Sequence, residues 1–195
     1  MTSPWTLALG SRLGDLDPAL AVYFSTIPPG SVGHGTGTFD RVGTPRRWLW
    51  PVLALLGRGG IAFPVWEHDV PFQVENRPGA AAITATLRFR FRSGERVMRH
   101  EMRLGTRGLV DVLGNRGLLE ADLVPEVVDG RLEVRSTALR LRLGRLRVPV
   151  PLAPRLHLVE SRDGDRQRVS VTLTAPVGGR LYEYAGAFEY RIEAA

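Results

Sequence analysis

Cysteine and lysine are both missing from the 195 residues of the chain. Without cysteine the protein has no disulfide, no thiolate metal site and no cysteine nucleophile. Without lysine, all 26 basic residues are arginine. Because arginine does not lose its proton at ordinary pH, much of the sequence pI of 10.8 follows from this bias.

Acidic residues are too few to balance the arginines, and the formal net charge is +6. A positive charge of this size raises the question of nucleic-acid binding. The arginines, however, alternate with apolar residues along predicted strands and do not form a block. Such alternation is typical of the solvated face of a sheet, so we predict no nucleic-acid partner.

Long hydrophobic runs are absent as well. The longest apolar run, Trp48 to Leu56, is much shorter than the roughly 20 residues that a membrane helix needs. The first residues lack a basic region followed by an apolar run, which a signal peptide requires. We therefore expect no membrane span and a cytoplasmic protein.

The composition favours a turn-rich domain with a core. The apolar fraction is 44%, which is too high for a disordered chain, and 14 prolines and 22 glycines argue against long helices. No linker, internal repeat or low-complexity segment interrupts the sequence. Residues 1–195 are therefore predicted to form a single domain.

The clearest pattern is period-2 alternation from Ala80 to Leu113. It predicts two long antiparallel strands that are joined at Ser93-Gly94, followed by a third strand near Leu109. Each of the first two strands has one apolar face and one arginine-rich face. The inward residues are predicted to be Ile83, Ala85, Leu87, Phe89 and Phe91, then Met98, His100, Met102 and Leu104.

Further strands are predicted on both sides of this stretch. Alternate glycines in 31–43 indicate a strand that another backbone approaches closely, and we place the first barrel strand at Gly35 to Val42. Asp129-Gly130 is typical of a tight hairpin turn. In Leu132 to Leu143 the inward parity changes, which predicts a β-bulge near Ser136 to Ala138.

Two short helices are predicted near the start of the chain. Asp17-Pro18 can begin a helix that ends near Thr26, before Pro28-Pro29-Gly30. Pro45 to Leu56 is predicted to be a kinked or two-piece helix that is apolar on nearly every side, so it would act as a lid or as a plug. Trp5, Leu7 and Leu9 are interpreted as a short edge strand.

Together these elements predict a mainly β fold, in which one large antiparallel β-barrel or strongly curled sheet has about nine or ten strands. Helical segments before consecutive hairpins are similar in layout to small lipid-binding barrels, where helices cover the mouth. That comparison is an analogy of fold only.

Several short motifs are similar to those of a known family. They are Asp17-Pro18-Ala19-Leu20, Asp69-Val70-Pro71 through Glu75-Asn76-Arg77, Leu87 to Phe91, Val110-Asp111-Val112-Leu113-Gly114, Leu143-Gly144 leading to Pro149-Val150-Pro151-Leu152, and Pro176 through Gly179, Leu181, Tyr184, Gly186 and Phe188. In this order they resemble the actinobacterial domain of unknown function 4166 family over most of the chain. The resemblance implies a single domain and an actinobacterial source. Because that family has no established activity, it implies no catalytic residue.

His100 is the best single candidate for chemistry, since an imidazole on an apolar face can act as a general acid or base, or can orient a ligand. The alternative is a core histidine with both nitrogens bonded. Trp66-Glu67-His68-Asp69 combines an aromatic ring, a histidine and acids, but its spacing fits no closed metal site, so we predict no metal and no cofactor.

Three functions stay open from the sequence. The leading one is binding of an apolar or amphipathic small molecule inside the barrel. The second is a cofactor-free cyclase or isomerase in the same cavity, with His100, Tyr182 and Tyr184 as catalytic groups. The third is a structural domain that assists a partner enzyme. The predicted ligand-binding residues are Trp48, Trp50, Leu53, Trp66, His68, Phe72, Phe89, Met98 and Met102.

Overall fold

A computed structural model describes residues 2–106 and 108–195. Three short α-helices are present, which are α1 (Pro4–Leu9), α2 (Pro18–Phe24) and α3 (Trp50–Arg58). The strands are β1 (Ser31–Gly43), β2 (Trp66–Pro78), β3 (Ala82–Phe91), β4 (Gly94–Gly105), β5 (Gly108–Leu113), β6 (Leu119–Val128), β7 (Arg131–Leu143), β8 (Leu146–Pro149), β9 (Arg155–Asp163), β10 (Arg166–Ala175) and β11 (Gly179–Ala194).

The strands form a closed antiparallel barrel. Each strand from β1 to β7 pairs with the next one along the chain, and β1 also pairs with β11. Pairing of β11 with β10, β10 with β9 and β9 with β7 completes a ring of ten strands. β8 pairs with β7 outside this ring. The predicted barrel is therefore confirmed, with one additional strand.

β7 changes partners half-way along its length. Residues 132–135 pair with β9, whereas residues 140–143 pair with β8. Between these halves the register with β6 shifts, because Asp122 faces Ala138 while Leu123 faces Ser136. The predicted β-bulge at residues 136–138 is confirmed, and it is the place where the β7–β8 hairpin leaves the barrel wall.

Two helices cover one end of the barrel. Asp17 caps α2 by accepting a hydrogen bond from the Ala19 amide at 2.9 Å, as predicted. The edge strand predicted at Trp5, Leu7 and Leu9 is wrong, because these residues lie in α1. Ser3 caps this helix and Pro4 occupies its first turn, and Trp5 and Leu9 lie one turn apart on its buried face.

The other end of the barrel carries the predicted two-piece helix. A short 3-10 turn at Arg47–Leu49 leads directly into α3, and Pro51 lies in the first helical turn. Leu53 is buried against the barrel core, whereas Trp48, Val52 and Leu55 are exposed. We refer to this end, which also carries the β5–β6, β7–β8 and β10–β11 turns, as the α3 end. In the described residues, no helix is both long and apolar enough to cross a membrane.

The barrel interior holds two apolar clusters. One lies towards the α3 end and includes Phe39, Phe63 and Phe89, and the other lies under α1 and α2 and includes Leu20 and Leu132. These five side chains are fully buried. The candidate site lies where the two clusters meet.

Candidate functional site

A cavity of about 100 Å³ lies inside the barrel, between the two apolar clusters. Its wall is mostly aromatic and aliphatic, with a small number of polar side chains that converge from different strands. The apolar lining comes from Trp5, Phe39, Phe72, Val74, Leu87, Met98, Met102, Leu113, Leu123, Val134, Leu156, Leu158, Val169 and Phe188. The polar lining comes from Tyr23, His100, Asp111, Glu160 and Tyr184. Apolar walls with few polar groups are the usual composition of small-molecule sites.

His100 and Asp111 form a hydrogen-bonded pair on this wall. His100 lies on β4 and Asp111 on the neighbouring β5, and Nδ1–H of the imidazole donates to Asp111 Oδ1 at 3.0 Å. The histidine side chain is 21% exposed and the aspartate side chain 10%. Among the described residues no hydrogen bond to Nε2 is found, and His100 borders both this cavity and an outer pocket that Gly114 and Arg116 also line.

Two opposing effects set the charge of His100. Burial disfavours the imidazolium and lowers its pKa, whereas the negative charge of Asp111 and the hydrogen bond to it raise the pKa. The two contributions from Asp111 together outweigh burial, so the pKa lies above its ordinary value. The Asp111 carboxylate therefore favours the protonated form of the imidazole.

Glu160 presents a second titratable group to the cavity, from β9. Its carboxylate accepts a hydrogen bond from the Gln167 side chain on β10, and both residues are buried. Burial raises the pKa of Glu160 to about 8, although the bond from Gln167 acts in the opposite direction. At neutral pH the cavity therefore holds a mostly protonated carboxyl group, which can donate a hydrogen bond.

Two tyrosines complete the polar part of the wall. Burial, and after it the negative charge of Asp111, raise the pKa of Tyr184. Burial and then the charge of Glu160 raise the pKa of Tyr23. Both phenols therefore keep their protons and act as neutral hydrogen-bonding groups. Tyr23 also lines an outer groove of about 390 Å³, so it lies between that groove and the cavity.

Comparison with protein-family models identifies the family. The model of DUF4166, a domain of unknown function, matches residues 16–188. The chain belongs to the DUF4166 family. The DUF4166 match includes every residue that lines the cavity except Trp5. A search of curated proteins and a search of solved structures each gave no significant match.

Within the DUF4166 fold, five of the predicted site residues come together on the cavity wall. They are His100, Tyr184, Phe72, Met98 and Met102. His100 projects inward between Met98 and Met102, where the alternation of β4 places it. His100, which the alternation predicted to face inward, lines the cavity.

The other predicted site residues lie elsewhere. Tyr182 and Phe89 belong to the core on the α3 side, and the Tyr182 hydroxyl accepts a hydrogen bond from the Phe63 amide at 3.5 Å. His68 is exposed and its Nδ1 lies 3.1 Å from the Asp40 carbonyl. Trp48, Trp50, Leu53 and Trp66 lie at or near the α3 end, outside the cavity lining.

Sequence reasoning missed Asp111 and Glu160, although a signal for both was present. Asp111 alternates with Leu109 and Leu113, and Glu160 alternates with Leu156 and Leu158. Each of these acids is a titratable residue at an inward strand position where the pattern predicts an apolar one, which is also the reason that His100 was identified. Tyr23 and Trp5 were not identified because they come from helices, whose position over the barrel is a tertiary property. Among the described residues, no group of three or more possible ligands is arranged to hold a metal ion.

Proposed function

We propose that the barrel binds a small, mainly apolar molecule whose polar group is recognised by His100 and Glu160. The observation that supports this function most strongly is the position of His100 on the wall of an apolar cavity, where Asp111 holds the ring through Nδ1. An imidazole nitrogen that bonds to no protein group can bond to water or to a ligand. The partner is therefore expected to carry a hydroxyl or carbonyl group.

The size of the cavity limits the ligand. An engineered apolar cavity of about 150 Å³ is large enough for benzene. The interior of this barrel offers about 100 Å³, so in the present conformation it holds a group of only a few heavy atoms. A larger ligand would place its polar group inside and extend outward.

The outer groove provides the route for such an extension. It lies beside α2 and has a volume of about 390 Å³, and Tyr23 and Phe188 line both spaces. The Tyr23 ring packs edge-on against Phe188 and Tyr190, with centroids 5.7 and 4.7 Å away. If Tyr23 rotates, the joined space falls within the roughly 300–1,000 Å³ that is usual for small-molecule sites.

His100→Leu should weaken the selection for a ligand with a polar group, since Glu160 remains. The two probes, 2-butanol and 2-methylbutane, have nearly equal shapes, because the second carries a methyl group where the first carries its hydroxyl. Relative to the variant, we expect the wild-type protein to favour 2-butanol about tenfold, because one buried hydrogen bond contributes about 1–1.5 kcal/mol. NMR titration of both probes measures the two affinities. Met98→Leu is the matched control, since it changes the same wall without removing a polar group. An unchanged preference in His100→Leu would exclude His100 from recognition.

Tyr23→Ala should accelerate the exchange of 2-butanol between the cavity and solvent. Removal of the ring joins the cavity to the groove, and we expect exchange to be about tenfold faster or more, equal to at least 1.4 kcal/mol of barrier. NMR line-shape analysis gives the rate. Tyr23→Phe keeps the ring and should exchange like the wild-type protein. If the two variants exchange equally slowly, the ligand does not pass Tyr23.

The His100–Asp111 pair also favours a second function, a cofactor-free acid–base enzyme. An aspartate that holds Nδ1–H leaves Nε2 directed at the substrate, as a general base requires. Tyr184 and protonated Glu160 could stabilise a developing oxyanion. Deuterium incorporation next to the carbonyl of 2-butanone in D₂O separates the two functions. Acceleration that is lost in His100→Leu supports proton transfer, and binding without acceleration supports a ligand carrier.

A further inference from the structure

Positive charge is concentrated in one segment of the chain. Residues 134–159 contain six arginines and no acidic residue. Because the net charge of the whole protein is +6, the remainder of the chain has equal numbers of acidic and basic residues. The segment comprises most of β7, all of β8 and the beginning of β9, and so includes the hairpin that leaves the barrel wall.

The β7–β8 hairpin has one apolar face and one basic face. Leu143 pairs directly with Leu146, which places both on the apolar face, and their exposures are 58% and 62%. On the opposite face Arg142 pairs directly with Arg147. Like charges at directly opposed positions destabilise a strand pair unless an anion lies nearby.

The protein does not supply enough anions for these arginines. Among the described residues, no carboxylate lies within 4.0 Å of Arg142 or Arg145. Arg147 has Glu120 at 3.5 Å, but this single carboxylate also contacts Arg103 at 3.0 Å and Arg140 at 3.8 Å. The hairpin therefore carries positive charge that is free to contact an external anion.

Further exposed apolar side chains lie at the same end of the barrel. Trp48 and Leu55 from the α3 region are each 66% exposed, and Leu152 and Val177 are 80% and 83% exposed. The loop before α3 and the β10–β11 turn are connected, because the Arg46 guanidinium donates to the Gly178 carbonyl. Apolar tips from three separate segments thus project from one end of the molecule.

We propose that the α3 end docks onto the surface of an anionic lipid bilayer. The exposed leucines and Trp48 would enter the interfacial region, and Arg142, Arg145 and Arg147 would contact lipid phosphates. A nucleic acid would leave the leucines uncovered, and a second copy of the chain would bring two positively charged hairpins together. An anionic lipid surface satisfies both features, and such surface contact requires no membrane-spanning helix. This inference is independent of the ligand proposal.

Vesicle co-sedimentation of the full chain tests the proposal. Vesicles of phosphatidylcholine alone are compared with vesicles that also contain phosphatidylglycerol. We expect binding to the anionic vesicles that weakens with added salt. The double variant Arg142→Gln/Arg145→Gln should lose about 25-fold in affinity, since each arginine near such a surface contributes about fivefold. Leu146→Ser/Leu152→Ser should lose about tenfold.

The matched control is Leu7→Ser/Arg12→Gln, which removes an exposed leucine and an arginine near the opposite end of the barrel. It should bind anionic vesicles like the wild-type protein. Thermal unfolding verifies that each variant is folded, and the replaced side chains are exposed except for Arg142, which is half-buried. The proposal is overturned if the wild-type protein does not bind anionic vesicles, or if the control variant loses as much affinity for them as the arginine and leucine variants do. It is also overturned if the leucine variant binds vesicles like the wild-type protein and differs only in its oligomeric state, as measured by sedimentation velocity.

Discussion

Glu160→Gln is expected to make the protein more stable at alkaline pH and to change little at acidic pH. Burial raises the pKa of Glu160 from an ordinary 4.5 to about 8. Between these values the folded state holds a proton that the unfolded chain has released, so the free energy of unfolding falls as pH rises. From about pH 5 to pH 9 this loss is on the order of 4 kcal/mol in the wild-type protein, and glutamine cannot show it.

Urea unfolding of the wild-type protein and of Glu160→Gln across this pH range gives the difference in their free energies of unfolding. The other titrating groups are common to the two proteins, so this difference reports on Glu160. Gln167 can still donate to the new amide oxygen, so the hydrogen bond across β9 and β10 is retained. Glu189→Gln, at an exposed position, is the control: it retains Glu160, so its stability should fall with pH as that of the wild-type protein does. If the difference in free energy of unfolding between the two proteins stays constant with pH, Glu160 is ionised in the folded barrel. The proposed site would then have no neutral carboxyl donor.

Gly37→Ala is expected to cost about 3 kcal/mol of stability, because it forces the barrel wall apart. A Cβ at this position of β1 would lie 2.2 Å from the Ala187 carbonyl oxygen and 2.6 Å from the Phe188 Cβ. Both groups belong to β11, and the backbone cannot move away without breaking the β1–β11 pairing. The new methyl group would also displace Phe188, which lines the cavity.

Thr36→Ala is the comparison for this variant, since Thr36 is the exposed neighbour in the same strand. We expect it to lose less than about 1 kcal/mol, as surface positions usually do. Equilibrium unfolding in urea measures both variants. If the two variants lose equally little free energy of unfolding, β11 can move away from β1 to make room for the new methyl group. The cavity wall would then be less rigid than the short distances at Gly37 imply.

The sequence predicted the barrel because the relevant signals are local. Alternation from Ala80 to Leu113 specified β3, β4 and β5, and Asp129-Gly130 specified the hairpin between β6 and β7. The predicted close approach of another backbone holds for Gly37 and Gly43 of β1. At Gly33 and Gly35 the space is taken by side chains instead. The helix at Pro4–Leu9 was missed because the alternation of Trp5, Leu7 and Leu9 also fits a strand. The Ser3 side chain, which caps the first turn, stabilises the helix instead.

The site was less predictable than the fold. His100 was identifiable as a polar residue on an apolar face, and the same reasoning extends to Asp111 and Glu160. Their convergence could not be predicted, because Glu160 is contributed by a strand on another part of the ring and barrel closure alone brings it to the cavity. The predicted lid at Trp48 to Leu56 covers the α3 end, whereas Trp5 and Tyr23 contact the cavity. Which helix covers which end depends on chain topology and not on local pattern.

The most direct test of a ligand site inside the barrel is a crystal structure of the protein with 2-butanol. The proposal predicts the alcohol in the cavity between His100 and Glu160, with its hydroxyl oxygen about 3 Å from Nε2 of His100. Alcohol molecules found only on the outer surface, with the interior filled by side chains or by water bonded to Nε2, would contradict the proposal.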